Sequence, residues 1–111
     1  MAQDFERVYA SSISNNSGSP TSILTSNSDD ALISVGCVNK HSSSATVTVV
    51  ITSGGTDYNV IKGAPIPTGS SLELIDSGSK IVIQTGDVVK AFSDTASAID
   101  VLISFVDTIS S

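Results

Sequence analysis

The chain has 111 residues, 14% of them charged, and a formal net charge of −6. Its length fits one domain, and its five basic residues, scattered at Arg7, Lys40, Lys62, Lys80 and Lys90, form no cationic cluster to release counterions from DNA or RNA or to hold an acidic membrane. With 22 serines and 10 threonines, hydroxyls rather than ions must coat the surface, while the dense Val, Ile and Leu from Ala31 onward argue against a disordered chain.

Residues 1–30 are polar and read as an N-terminal arm or linker. Met1–Ala10 carries Asp4, Glu6 and Arg7 without an apolar stretch, so no secretory signal is expected there. An extended conformation is favoured over a helix for the first dozen residues. Phe5, Val8 and Tyr9 are large apolar groups in a segment too short to fold alone. They are the candidate interface residues, to be covered by this domain's own sheet edge or by a neighbouring subunit through strand addition or arm exchange. Ser14–Pro20 has turn chemistry, and Ile23-Leu24-Thr25 could add a short pairing segment.

Residues 31–111 read as a β-sandwich domain. Ala31–Val38 is nearly continuous in apolar residues, as a buried central strand would be. Ala45–Thr52 follows, and Ser53-Gly54-Gly55 makes a hairpin turn into Asp57–Lys62, since glycine supplies the positive φ that tight hairpins need. Ala64-Pro65-Ile66-Pro67 cannot donate a regular ladder, so it belongs to an edge or a crossover. Ser71–Ile75, a second turn at Asp76–Ser79, Lys80–Gln84, a third turn at Thr85-Gly86-Asp87, Val88–Phe92 and Ala98–Val106 complete the pattern. In the last strand Ile99, Val101, Ile103 and Phe105 share one face. The expected fold is all-β: an antiparallel sandwich, jelly-roll or Ig-like, of seven or eight strands with an extended N-terminal arm.

Catalytic and metal chemistry find little support. His41, the only histidine, is followed by Ser42, Ser43 and Ser44, but these fall in a turn and no G-x-S-x-G elbow exists. Ser77-Gly78-Ser79-Lys80 matches the S-x-x-K spacing by chance, in what reads as a hairpin turn without the motif's partners. One cysteine and one histidine cannot complete a four-ligand zinc site. Asn27–Asp30 is oxygen-rich but lacks the order of a calcium loop. Cys37 sits in an apolar run and reads as a small buried hydrophobe. The aromatic residues are too few for a sugar-binding platform. No catalytic residue, cofactor or metal is assigned, and the chain is read as a non-enzyme.

The run from Ala64 to Asp94, with Pro65-Ile66-Pro67-Thr68-Gly69-Ser70-Ser71-Leu72-Glu73-Leu74, then Lys80-Ile81-Val82-Ile83-Gln84-Thr85-Gly86-Asp87-Val88-Val89-Lys90, together with Ala98-Ile99-Asp100-Val101-Leu102-Ile103-Ser104, resembles small virion structural proteins of tailed bacteriophages of cyanobacterial and marine hosts. The resemblance covers roughly residues 31–107. It implies a virion protein made in the bacterial host cytoplasm, a capsid decoration or cement protein that binds and stabilises the shell. Its partners would be the major capsid protein or other virion proteins, with no nucleic acid and no membrane. A homo-oligomer is expected, with a trimer favoured. The alternatives are a neck, tail or baseplate component with the same fold, or an adhesin-like module that binds host glycans through Tyr58 or acidic loops.

Overall fold

The computed structural model describes residues 4–75 and 80–107. Its regular structure is β throughout: β1 Asp4–Ala10, β2 Thr21–Thr25, β3 Asp30–Asn39, β4 Ala45–Ser53, β5 Thr56–Ile66, β6 Ser71–Glu73, β7 Ile81–Ile83, β8 Val88–Ser93 and β9 Ile99–Asp107. One sheet has the order β1-β9-β3-β6, with β7 also on β3; the other has the order β2-β8-β4-β5. Every pairing is antiparallel. With β6 and β7 taken as one broken strand, the chain pairs first with last, β1 with β9 and β2 with β8, and so inward to the β4–β5 hairpin. That nesting is the jelly roll. Beyond the expected seven or eight strands, β1 is the ninth.

The alternation read in the sequence sets the core. Ile99, Val101 and Ile103 are fully buried and Phe105 nearly so. They meet Leu32, Val35 and Cys37 of β3, and, from the other sheet, Val47 and Val49 of β4 and Val89 and Ala91 of β8. Most of these side chains are β-branched, which suits a pleated, buried surface. Gly54 and Gly55 take φ of 60° and 84°, the mirror-image turn that matches the twist of a hairpin.

Two elements differ from expectation. β5 does not stop at Lys62: it continues over a bulge at Gly63 (φ 61°), whose N–H donates to Thr48 Oγ1 at 2.9 Å, and reaches Ile66. Pro65 is tolerated there because β5 is an outer strand, as expected for that segment. The second difference concerns the turn expected at Asp76–Ser79. Those residues, including the Ser77-Gly78-Ser79 part of S-x-x-K, lie outside the described residues. The strands flanking them do not form a hairpin: β6 pairs with Gly36–Val38 and β7 with Asp30–Leu32, both antiparallel to β3, so they run in one direction, end to end. The gap between them faces the stretch of β3 where the β3–β9 ladder shifts register, between Leu32 and Ser34, and Glu73 reaches into it. The Glu73 carboxylate accepts from Ser34 Oγ and Val35 N–H, both at 2.9 Å, and from Ile75 N–H at 3.3 Å, which ties the end of β6 to the middle of β3.

Candidate assembly surface

β1 and β9 pair without a break, from Asp4 opposite Asp107 to Ala10 opposite Val101. Side chains alternate across a strand. Val8 and Ala10 pack against the core, so Phe5, Arg7 and Tyr9 point to the outer face of the sheet. The register then aligns rows across that face. Phe5 lies opposite Val106, Val106 opposite Ala31, and Ala31 opposite Val82. Tyr9 lies opposite Leu102, Leu102 opposite Gly36, and Gly36 opposite Glu73.

Five large hydrophobic side chains are exposed among the described residues, and four belong to this face: Phe5 at 82%, Tyr9 at 57%, Val82 at 57% and Leu102 at 39%. The candidate interface residues therefore part company. Val8 is half-buried in its own sandwich, whereas among the described residues Phe5 and Tyr9 stay mostly exposed. The Arg7 guanidinium stands 4.8 Å from the centre of the Tyr9 ring, close enough for a cation–π contact. One hollow beside β1, of about 170 Å³, is lined by Tyr9, Ala10, Ser11, Asp100, Val101 and Leu102. That is below the roughly 300–1,000 Å³ of sites that enclose a small ligand. It suits a single protruding side chain better.

A polar clamp holds the C-terminal end of β1 in place. Ser12, in the left-handed region at φ 54°, donates its N–H to Asp100 Oδ1 at 2.8 Å. Lys40 Nζ reaches Asp100 at 2.9 Å, Ser12 Oγ at 2.8 Å and Ser11 Oγ at 3.2 Å. Beyond the clamp, Ile13 is buried and its N–H donates to Ile99 O at 3.0 Å. Nothing in the sequence marks Lys40 and Asp100 as partners. They become neighbours only because Val38 lies opposite Asp100 in the β3–β9 ladder.

Among the described residues three carboxyls are held below their ordinary range. Partial burial pushes Asp100 up, but hydrogen bonds from Lys40 and the Ser12 N–H, with the Lys40 charge, outweigh it. Asp94 is lowered by the Thr46 N–H at 2.9 Å, and Asp87 by the Gln84 N–H at 2.9 Å. A lowered folded pKa contributes stability that is present above the unfolded value and is lost as pH falls through the folded one. The melting temperature is therefore expected to be level from neutral pH to about pH 5 and to fall below about pH 4. Asp94→Asn keeps an oxygen for the Thr46 N–H but cannot titrate, so it is expected to flatten part of the acid limb. An acid limb identical to that of the wild type in a melting series would refute the assignment to Asp94.

The other candidates gather no chemistry. His41 Nδ1 is 3.1 Å from Ser43 Oγ and also faces the Ser43 N–H at 3.3 Å, both within its own turn. A catalytic histidine instead has a carboxylate orienting one ring nitrogen and its serine on the other. Asp30 is buried and accepts from Ser26 Oγ and Ser28 Oγ, each at 2.9 Å, so its carboxylate anchors the 26–30 loop. Among the described residues no group of three or more His, Cys, Asp or Glu is placed to hold a metal ion. Tyr58 is 59% exposed, but it lies on β5 of the opposite sheet from Phe5 and Tyr9, so the three rings form no row. Sequence reading missed Val82 and Leu102 as surface residues. Their signal was present as apolar side chains in the outward phase of an alternating strand.

Neither a protein-family model nor a curated protein sequence matches the chain. Among solved structures, a chain from Bacillus endospore appendages, described as forming a novel family of disulfide-linked pili, is similar to this one, with 19% identity over 98% of this chain and 88% of that chain and a TM-score of 0.55. At that identity the likeness concerns the fold: the sandwich of this chain, β1 and β2 included, is one that a pilus-forming protein also adopts.

Proposed function

We propose that this protein is a non-enzymatic structural subunit, used in many copies within a larger protein assembly. The observation that carries the reading is the outer face of the β1-β9-β3 sheet, which gathers Phe5, Tyr9, Val82 and Leu102 in the open. Apolar side chains clustered on one face usually mark a contact with another macromolecule. The fold neighbour supports the same reading, being a component of an appendage. The resemblance of Ala64–Ser104 to phage virion proteins supports a finer one, in which the assembly is a virion and the chain coats its capsid shell.

Quantitative mass spectrometry of particles banded on a density gradient tests both levels. Tens or more copies of the chain per particle or per filament length support the structural reading. Banding with the major capsid protein supports the virion placement, whereas fibres in negative stain support an appendage. A chain that stays wholly in the soluble fraction and bands with no particle overturns the proposal.

A further inference from the structure

Among the described residues the two sheets have four outer edges, and three of them are blunted against pairing. β5 carries Pro65, which has no N–H, and the Gly63 bulge. β2 is five residues long with a register shift between Ser22 and Leu24. The fourth side of the sandwich is split between β6 and β7, three residues each. Short strands, proline and bulges are the means by which proteins prevent edge-to-edge association. β1 carries the charges of Asp4, Glu6 and Arg7 but no proline, bulge or break: it offers seven residues in unbroken register and, among the described residues, no strand on its outer side. An edge in unbroken register on a protein whose other edges are short, shifted or bulged points to a docking strand.

We propose that the outer edge of β1 pairs antiparallel with β1 of a second copy, across a two-fold axis, to join the two sheets into one. This deepens the structural-subunit reading by naming a contact between copies, a two-fold pair rather than the trimer favoured from sequence. Side-chain alternation restricts the register. Residues opposite one another point to the same face, so an outward residue must meet an outward residue and one residue must lie on the axis. Centring on Glu6 or on Arg7 sets like charges opposite each other, which is destabilising. Centring on Val8 places Arg7 against Tyr9 of the second copy, twice, and Glu6 against Ala10 of the second copy. It repeats between copies the Arg7–Tyr9 contact already present within one. Phe5 then lies just beyond the paired core, on the outer face with the other exposed rings.

Cysteine cross-linking tests the register. Arg7→Cys and Tyr9→Cys are exposed sites, and the buried Cys37 leaves a clean background. On mild oxidation a mixture of the two variants is expected to give the mixed disulfide in several-fold excess over either homodisulfide. Homodisulfides in equal or greater yield, or no cross-link, overturn the proposal. A proline scan over residues 6–9 tests the edge itself. Successive residues turn their N–H groups to opposite sides. Prolines of one parity are expected to lower the melting temperature by breaking the β1–β9 ladder. Prolines of the other parity are expected to keep it and halve the mass found by light scattering. A wild-type chain that is monomeric at its highest soluble concentration, or a dimer that survives all four prolines, also overturns the pairing. None of these failures touches the copy number per particle, which judges the structural reading separately.

Discussion

Replacing Asn39 by leucine is expected to destabilise the protein by about 4 kcal/mol, a large share of the 5–15 kcal/mol that holds a typical domain. Asn39 ends β3 and has no exposed surface. Its Nδ2 donates to Ile66 O at 2.8 Å and to Ser43 O at 3.0 Å, and its Oδ1 accepts from the His41 N–H at 2.8 Å. Its own backbone continues the knot: the N–H donates to Ser70 O at 2.9 Å, and its carbonyl accepts from the Gly69 N–H at 3.0 Å. The side chain therefore ties the 40–44 turn to the end of β5, while the backbone of the same residue holds the 67–70 turn. Leucine fills a similar volume but takes the partner from two carbonyls and an N–H; the Ile66 bond is buried and the other two partly so, and a buried group left unpaired costs about 1–3 kcal/mol. Solvent reaching the turns recovers part of the loss. In urea, where small proteins have slopes of about 1–3 kcal/mol per molar, the midpoint is expected to fall by roughly 2 M. Asn39→Asp is the instructive companion. It keeps the acceptor for His41 but turns oxygen lone pairs toward Ser43 O and Ile66 O, so it is expected to be at least as damaging at neutral pH and to recover partly in acid as the carboxyl gains a proton. A loss under about 1 kcal/mol for Asn39→Leu would show that the knot is redundant.

The second large effect concerns Cys37. Burial, with a smaller contribution from the negative charge of Glu73, pushes its thiol up to about 12. The thiolate is the reactive form. At pH 8 a thiol of pKa about 12 is ionised roughly a thousand-fold less than one at the ordinary value of 9.0, before steric exclusion is counted. Labelling by a disulfide reagent such as DTNB is therefore expected to be at least about a thousand-fold slower in the native protein than in urea. Stoichiometric labelling within seconds under native conditions would contradict the burial. The expectation bears on assembly. The Bacillus appendages that share the fold are described as disulfide-linked, but the only cysteine of this chain lies in the sandwich core. A disulfide through the buried Cys37 is not open to the folded chain, so a reducing agent is expected to leave any oligomer of it unchanged.

Much of the fold was legible because its determinants are local. The alternation of Ile99, Val101, Ile103 and Phe105 declared which face of β9 is buried, and all four are in the core. Gly54-Gly55 declared a tight hairpin, and Pro65 declared an outer strand. The site was only half legible. Phe5 and Tyr9 stood out as apolar groups in a polar segment, but Val82 and Leu102 read as ordinary members of their strands. That all four share one face depends on the registers Phe5–Val106–Ala31–Val82 and Tyr9–Leu102, whose partners are far apart in the chain. The β6–β7 hairpin was misjudged for the same reason. Two short apolar runs around a polar turn look like a hairpin, but both pair with β3, and Glu73 bonds Ser34 Oγ and the Val35 N–H in the gap between them.

The amino-acid sequence by itself determined which segments are strands, where they turn and which side of most of them is greasy, because these follow from alternation, β-branching and glycine within a few residues. Only the tertiary structure decided which strand lies beside which, and hence that, among the described residues, β1 is an outer strand beside a face of exposed rings. The physical reason is that every strand presents the same row of N–H and C=O groups. Backbone hydrogen bonding carries no address, so the choice of partner rests on long-range packing of side chains that no local stretch of sequence contains.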